Sequence, residues 1–295
     1  MNGARTGGRV GLLAGGGRFP AAFAQAARAQ GLEVVCVAIR HHADGDLLRP
    51  LVDRFHWTAL ARFGRTISLF RREGVGQVVM AGKIQKVALF GPWRWLRLFP
   101  DWRTVRFWLD RRRRDNRDDS LLLGVIKEFA RDGIAFSSAL EVCPELLVKP
   151  GTLTRRAPTP AERRDIAFGW SLAKEMGRLD VGQSVAVKDR AVLAVEAIEG
   201  TDRAILRAGE LCAGGGFTVV KVAKPQQDMR FDVPTVGVTT IENLAKAGGK
   251  TLAVEADKTI LLDAAETIEA AERLGIALVS LTAEQALETD LRQAG

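Results

Sequence analysis

The sequence predicts a two-domain α/β protein, and three observations carry the prediction. Through the first half, short β-rich runs alternate with amphipathic segments in βαβ order, which argues for a parallel sheet flanked by helices. Between Val148 and Pro160 the composition shifts to Lys, Pro, Gly, Thr and Arg with little periodicity, as a connection between domains does. Directly after it, Thr159-Pro160-Ala161-Glu162 combines a capping box with proline at the first helical position, a start signal for a new helix. The expected division is an N-terminal domain at 1–147, a connection at 148–160 and a second α/β domain at 161–295. A length of 295 residues agrees, since it exceeds what one compact core usually serves.

Val10 to Ala14 is the first predicted strand. Ala21 to Gln30 is the first helix, with Pro20 where it begins and Gly31 where its end wants a left-handed residue. Leu32 to Ile39 follows as the second strand. Further units are a helix around Arg65 to Glu73, a strand at Gln77 to Ala81, a helix around Ser120 to Asp132 and a strand at Ile134 to Ala139. In the second domain, the capped helix runs to about Gly177. Ser184 to Val187 and Ala191 to Glu196 are strands joined by Lys188-Asp189-Arg190, and Thr218 to Val222 is another. Asp263-Ala264-Ala265-Glu266 is a second cap of the same type, opening a helix that ends near Gly275 before a strand at Ile276 to Leu281.

Composition excludes several classes. Apolar residues make up 47% and charged residues 26%, the balance of a globular protein. No apolar run approaches the roughly 20 residues of a membrane-spanning helix, and the polar start lacks a cleavable leader pattern, so the chain reads as cytoplasmic. Cys36, Cys143 and Cys212 have neither disulfide nor zinc spacing and read as core residues. His41, His42 and His56 lack metal-ligand company. Lys and Arg outnumber Asp and Glu by 43 to 35, a net +8 that favours anionic partners. Much of the surplus lies between Arg103 and Arg117, where a solvated helix face is the plainer reading.

Gly15-Gly16-Gly17 follows a predicted strand and precedes a predicted helix, where backbone amides and a helix N-terminus can receive a phosphate or diphosphate. The third glycine of a dinucleotide fingerprint is absent. The second strand ends at Arg40-His41-His42 rather than in an acidic residue, which argues against a nicotinamide cofactor. A tight turn without a ligand is the alternative.

Lys221 to Gly237 reads KVAKPQQDMRFDVPTVG. If extended, Asp228, Arg230 and Asp232 face one way and Met229, Phe231 and Val233 the other, and Pro234 favours that reading. Two carboxylates with Lys221 and Lys224 nearby are what diphosphate hydrolysis asks for: oxygen ligands for Mg2+, a group to orient water, and positive charge for phosphoryl oxygens. An exposed edge strand with a surface ion pair stays open as the alternative. Upstream, Gln183, Glu196, Glu199 and Asp202 surround strand-like pieces, with Gly200-Thr201 fitting a turn. Glu196 ends an apolar run and wants a partner, because an unpaired buried carboxylate is costly. Asp202 suits a cap or turn. Asp115, Asp118 and Asp119 precede the helix expected near Leu121, where Ser120 or Asp119 would cap it; a polar rim facing the second domain's site is the alternative. Trp93-Arg94-Trp95-Leu96-Arg97-Leu98-Phe99 mixes rings and cations as an interfacial helix does; a lid over an apolar pocket and a partly buried stripe are the other readings.

In chain order, GLLAGGGRFP at Gly11 to Pro20, VMAGKIQK at Val79 to Lys86, DDSLL at Asp118 to Leu122, LDVGQSVAV through AVLAVEAIEGTD at Leu179 to Asp202, and the Lys221 to Gly237 block resemble the LpxI family of UDP-2,3-diacylglucosamine pyrophosphatases. The resemblance implies hydrolysis of UDP-2,3-diacylglucosamine to UMP and 2,3-diacylglucosamine 1-phosphate (lipid X) in lipid A synthesis, with Mg2+ or another divalent metal. It implies a Rossmann-like N-terminal domain and a distinct C-terminal α/β domain with lipid held between them. The family's essential aspartate, in an R-x-D-x-P-T motif, falls on Asp232, with attack at the sugar-side phosphorus. Asp228 is the second expected metal ligand, although Glu stands there in family members. Lys221 or Lys224 would neutralise charge on the phosphoryl oxygens. Gly15, Gly16, Gly17, Gly82 and Lys83 are expected to bind substrate in the first domain, and Gln183, Glu196, Thr201, Asp202, Gln227, Arg230 and Thr235 in the second. Peripheral contact with the inner membrane and a homodimer are left open. Two other readings compete: a non-catalytic binder or carrier of nucleotide-linked lipid, and nucleic-acid binding through Arg103 to Arg117 with steep salt dependence. No nucleic-acid motif is recognisable, so no such partner is expected.

Overall fold

The computed structural model describes residues 8–84, 100–111, 118–226, 228, 230 and 233–291. The chain divides into two compact units between Pro144 and Glu145, with Asp228 and Arg230 grouped with the first.

The first unit is built on a parallel sheet of β1 (Arg9–Ala14), β2 (Glu33–Ile39), β3 (Arg54–Thr58), β4 (Gln77–Ala81) and β5 (Ala135–Ser137), in the order β3-β2-β1-β4-β5. Its longer helices are α1 (Phe19–Ala29), α2 (Phe63–Arg72), α3 (Trp102–Arg111) and α4 (Asp118–Ala130). β2 is buried from Val34 to Ile39, which is why it reads as a continuous apolar run without alternation. Cys36 lies within it, and burial pushes its thiol up to about 12, as befits an inert core cysteine. Phe70, Ile67, Phe129 and Phe136 pack on Val35, Val37 and Val78 to form the core. α4 begins at Asp118, ahead of the start near Ser120 to Leu121 expected from the sequence. Strand order reverses between β1 and β4, and in open α/β sheets that reversal opens a crevice at the strand carboxyl ends.

The second unit holds a mixed sheet of β6 (Gly151–Thr152), β7 (Ser184–Lys188), β8 (Ala191–Val195), β9 (Thr218–Lys221), β11 (Thr251–Glu255) and β13 (Ala277–Leu281). Their order is β6-β13-β11-β9-β7-β8, with β9, β11 and β13 parallel. β10 (Thr235–Val236) and β12 (Ile260–Leu261) pair separately. Helices α5 (Pro160–Arg178), α6 (Thr201–Leu211), α7 (Val238–Lys246), α8 (Ala264–Arg273) and α9 (Ala283–Leu291) surround them. Residues 148–160 pack within this unit: the Val148 amide donates to the Thr259 carbonyl, and β6 pairs with β13.

Local chemistry explains the helix and hairpin boundaries. The Thr159 hydroxyl accepts from the Glu162 amide at 3.3 Å and the Glu162 carboxylate accepts from the Thr159 amide at 2.7 Å, so the first predicted capping box forms. Thr159→Ala is expected to lower the stability of this unit by about 1 kcal/mol, read as a shift in denaturation midpoint at unchanged slope. An unmoved midpoint would show that Glu162 holds the helix start without the hydroxyl. The second predicted box does not form, because Asp263 sits left-handed at φ 46° and makes no side-chain cap. Between β7 and β8, Asp189 (φ 50°) and Arg190 (φ 59°) make a tight two-residue turn. The buried Asp165 carboxylate accepts both of their amides, at 3.1 and 2.7 Å, holding a conformation that glycine would normally supply. Among the described residues, no helix is long and apolar enough to cross a membrane.

Candidate functional site

At the carboxyl ends of β1 and β4 two turns are stitched together. Gly15 donates to the Ala81 carbonyl, and Gly16 and Lys83 exchange amide and carbonyl, all at 2.8 Å. The contact is close because side chains are absent: a Cβ on Gly15 would lie 2.8 Å from the Lys83 carbonyl oxygen, and one on Gly82 2.7 Å from that of Gly16. Gly82 is also left-handed, at φ +94°. The expected phosphate cradle is therefore narrower than the sequence suggests. Two of its three glycine amides close the loop, and Gly17 is the glycine exposed beside the N-terminus of α1. Lys83 is exposed next to it. Gly82→Ala is expected to destabilise the first unit by about 1–3 kcal/mol and to raise KM more than it lowers kcat. Wild-type melting and KM would contradict this role for the stitch.

In the second unit, strand ends line up polar groups along one edge. Lys221 ends β9, Glu255 ends β11, Ser184 opens β7 and Glu196 follows β8. Lys221 is 4% exposed, and its ammonium donates to Thr201 Oγ1 and to the Thr235 carbonyl, both at 3.0 Å. Thr201 Oγ1 in turn donates to Glu196 Oε1 at 2.9 Å, so a hydroxyl bridges a buried ammonium and a buried carboxylate. Ser184 Oγ stands 3.4 Å from the same hydroxyl. Glu196 Oε2 is buried with no hydrogen-bond partner among the described residues, a costly arrangement suited to receiving a ligand's donor. Thr201 and Asp202 are the first two residues of α6 rather than a turn, and Asp202 accepts from Thr240 Oγ1 at 3.4 Å. The Gln183 carbonyl accepts from the Val222 amide at 3.0 Å. The structure thus joins Glu196, Thr201, Lys221 and Thr235 in one network, with Gln183 and Asp202 as chain neighbours of its members.

Lys224 belongs to a different arrangement, its ammonium paired with Asp180 Oδ1 at 2.6 Å. Between the two lysines, Ala223 is clamped through both backbone groups. Its amide donates to Glu255 Oε2 at 2.8 Å and its carbonyl accepts from Lys174 Nζ at 2.9 Å. Lys174 also reaches Glu255 Oε2 at 2.6 Å, and Lys258 reaches Oε1 at 2.9 Å. Burial alone would raise the Glu255 pKa, but hydrogen bonds from Lys174 and Lys258 outweigh it and hold the carboxyl below its ordinary range. Glu255 and Lys174 were not singled out from the sequence. The available signal was a glutamate ending an apolar run, the same one that marks Glu196.

Asp228 and Arg230 depart from the extended alternation expected of them. The Arg230 amide donates to Asp228 Oδ1 at 3.0 Å, closing a turn on the aspartate's own carboxylate. Its guanidinium takes both oxygens, Nε to Oδ1 at 2.9 Å and Nη2 to Oδ2 at 2.5 Å. These bonds hold the Asp228 carboxyl below its ordinary range. Asp232 and Gln227 lie outside the described residues. Among the described residues no three His, Cys, Asp or Glu stand together as a metal would need, and both Asp228 oxygens are bonded to Arg230. The described residues alone do not compose a divalent-cation site.

A parallel-sheet unit with a glycine turn at its sheet reversal, and a mixed-sheet unit with a buried ammonium–hydroxyl–carboxylate chain at its strand ends, define a two-unit α/β protein. Residues 9–146 match the LpxI N-terminal domain and residues 149–279 the LpxI C-terminal domain. Over 289 residues the chain is 32% identical to the UDP-2,3-diacylglucosamine pyrophosphatase LpxI of Caulobacter vibrioides, a match covering 94% of this chain and 99% of that protein. The chain belongs to the LpxI family.

Proposed function

We propose that this chain hydrolyses the diphosphate of UDP-2,3-diacylglucosamine in lipid A synthesis. Carrying the reading is the similarity to an enzyme named for that activity over nearly the whole length of both proteins. Water attacks the sugar-side phosphorus, the bond to the bridging oxygen breaks, and UMP leaves with that oxygen while 2,3-diacylglucosamine 1-phosphate retains the oxygen from water. Asp232 orients the water and accepts its proton. Lys221 or Lys224 supplies the positive charge that meets the phosphoryl oxygens, the first held by Thr201 and Thr235 and the second by Asp180. Glu196, acting through Thr201, positions Lys221. Gly17 and the start of α1, with Lys83, are assigned a phosphate of the substrate.

A divalent ion such as Mg2+, when bound, would add positive charge against the phosphoryl oxygens, and its ligand set would centre on Asp232. Incubating the protein with UDP-2,3-diacylglucosamine is expected to release UMP in the presence of Mg2+. Release should stop in chelator and return with added Mg2+. Turnover that persists in chelator would remove the metal from this reading. Tight binding of substrate with no UMP would replace it with a carrier of nucleotide-linked lipid.

A further inference from the structure

Helix α3 has two unlike faces. Inward, Thr104 is fully buried and its hydroxyl accepts from the Phe63 amide at 3.0 Å, while Phe107 packs edge-on against Phe63 with ring centroids 5.2 Å apart. Arg103 is held by Glu128 and Asp132. Outward, Trp102 is 78% exposed and Leu109 50%, and Arg106 is exposed between them. Residues seven apart on a helix share a face to within about 20°, so Trp102 and Leu109 stand in one stripe beside Arg106. A largely exposed indole on a helix whose phenylalanine is buried needs an occupant, and charge says which. From Arg94 to Arg117 the sequence carries nine arginines against three aspartates.

We propose that this outward face docks the protein on an anionic phospholipid surface. Indole and leucine side chains enter at headgroup depth, and Arg106 meets the phosphates. Each basic residue near such a surface adds about 1 kcal/mol, and Arg106 supplies one on this face. The inference stands apart from the assignment of substrate.

Cosedimentation of the full chain with vesicles tests it. Binding is expected to phosphatidylglycerol–phosphatidylcholine vesicles, with little to phosphatidylcholine alone and weakening as salt rises. The double variant Trp102→Ser, Leu109→Ser is expected to bind about tenfold or more weakly, and Arg106→Glu to lose the preference for anionic vesicles. Both should melt and release UMP from detergent-dispersed substrate as wild type does. Wild type left in the supernatant with anionic vesicles, or the double variant sedimenting equally, overturns the proposal. So does affinity for a short DNA duplex that Arg106→Glu abolishes and the double variant keeps, which would make the face a general polyanion site.

Discussion

Replacing Asp232 with asparagine is expected to lower kcat for UDP-2,3-diacylglucosamine by about a thousandfold, with KM and melting temperature close to wild type. The substitution keeps shape and removes charge and basicity, so an effect confined to kcat assigns the group to the reacting atoms rather than to folding. Asp228→Asn provides the contrast. Its carboxylate is engaged by the Arg230 guanidinium and amide, so the expected loss is only about tenfold and is shared by Arg230→Met, because each variant removes the same guanidinium–carboxylate pair. A wild-type rate from Asp232→Asn, or a larger loss from Asp228→Asn, would move the catalytic role within the motif.

Glu255→Ala is expected to destabilise the second unit by about 3–5 kcal/mol, the range for removing one partner of a buried ion pair. The side chain is 5% exposed and serves Lys174, Lys258 and the Ala223 amide together, so its loss strands a cation and a backbone donor at once. Because Ala223 lies between Lys221 and Lys224, kcat should fall even at temperatures where the unit stays folded. Glu255→Gln keeps an acceptor for the amide and should lose roughly half as much. The pH dependence follows from the depressed pKa. A carboxyl held below its ordinary 4.5 contributes fully above that value, and the contribution fades as pH falls through the lower folded value. Glu162 is depressed in the same way: its burial is outweighed by the Thr159 amide and by Arg156. Denaturation midpoints should therefore be level near neutrality and drop on acidification below the ordinary glutamate range, with a shallower drop in Glu255→Gln. Equal slopes for the two proteins would show that Glu255 gains nothing from its partners.

Elements with strong period or punctuation were legible in the sequence. β1, α1, β2 and β4 follow from short β-rich runs interleaved with an amphipathic segment and punctuated by glycine and proline, and α5 from a capping box that forms as written. β11 was not legible, although it lies between β9 and β13 in the sheet. TLAVE is buried at all five positions, so it shows no alternation, although Gly248-Gly249 and Asp257 punctuate it on either side. α6 reads as a turn because Gly200 precedes Thr201, yet that glycine, at φ 84°, is the N-cap. α7 likewise starts at a glycine without a side-chain cap.

At the candidate site the limits were of two kinds. Asp228 and Arg230 are joined by a local hydrogen bond that competes with the extended conformation, a choice periodicity does not see. The glycine amides and Glu255 depend on partners far along the chain: Ala81 and Lys83 for the turn, and Lys174, 81 residues away, for the carboxylate. Residue types announced that a buried carboxylate would need company. Only the fold names Thr201 and Lys174 as the company kept.

Turnover of UDP-2,3-diacylglucosamine in water enriched in 18O, with both products analysed by mass, tests the assigned reaction most directly. The expected result is unlabelled UMP and one heavy oxygen in the 1-phosphate of the diacylglucosamine. Heavy oxygen in UMP would contradict attack at the sugar-side phosphorus, and substrate recovered intact would contradict the hydrolase itself.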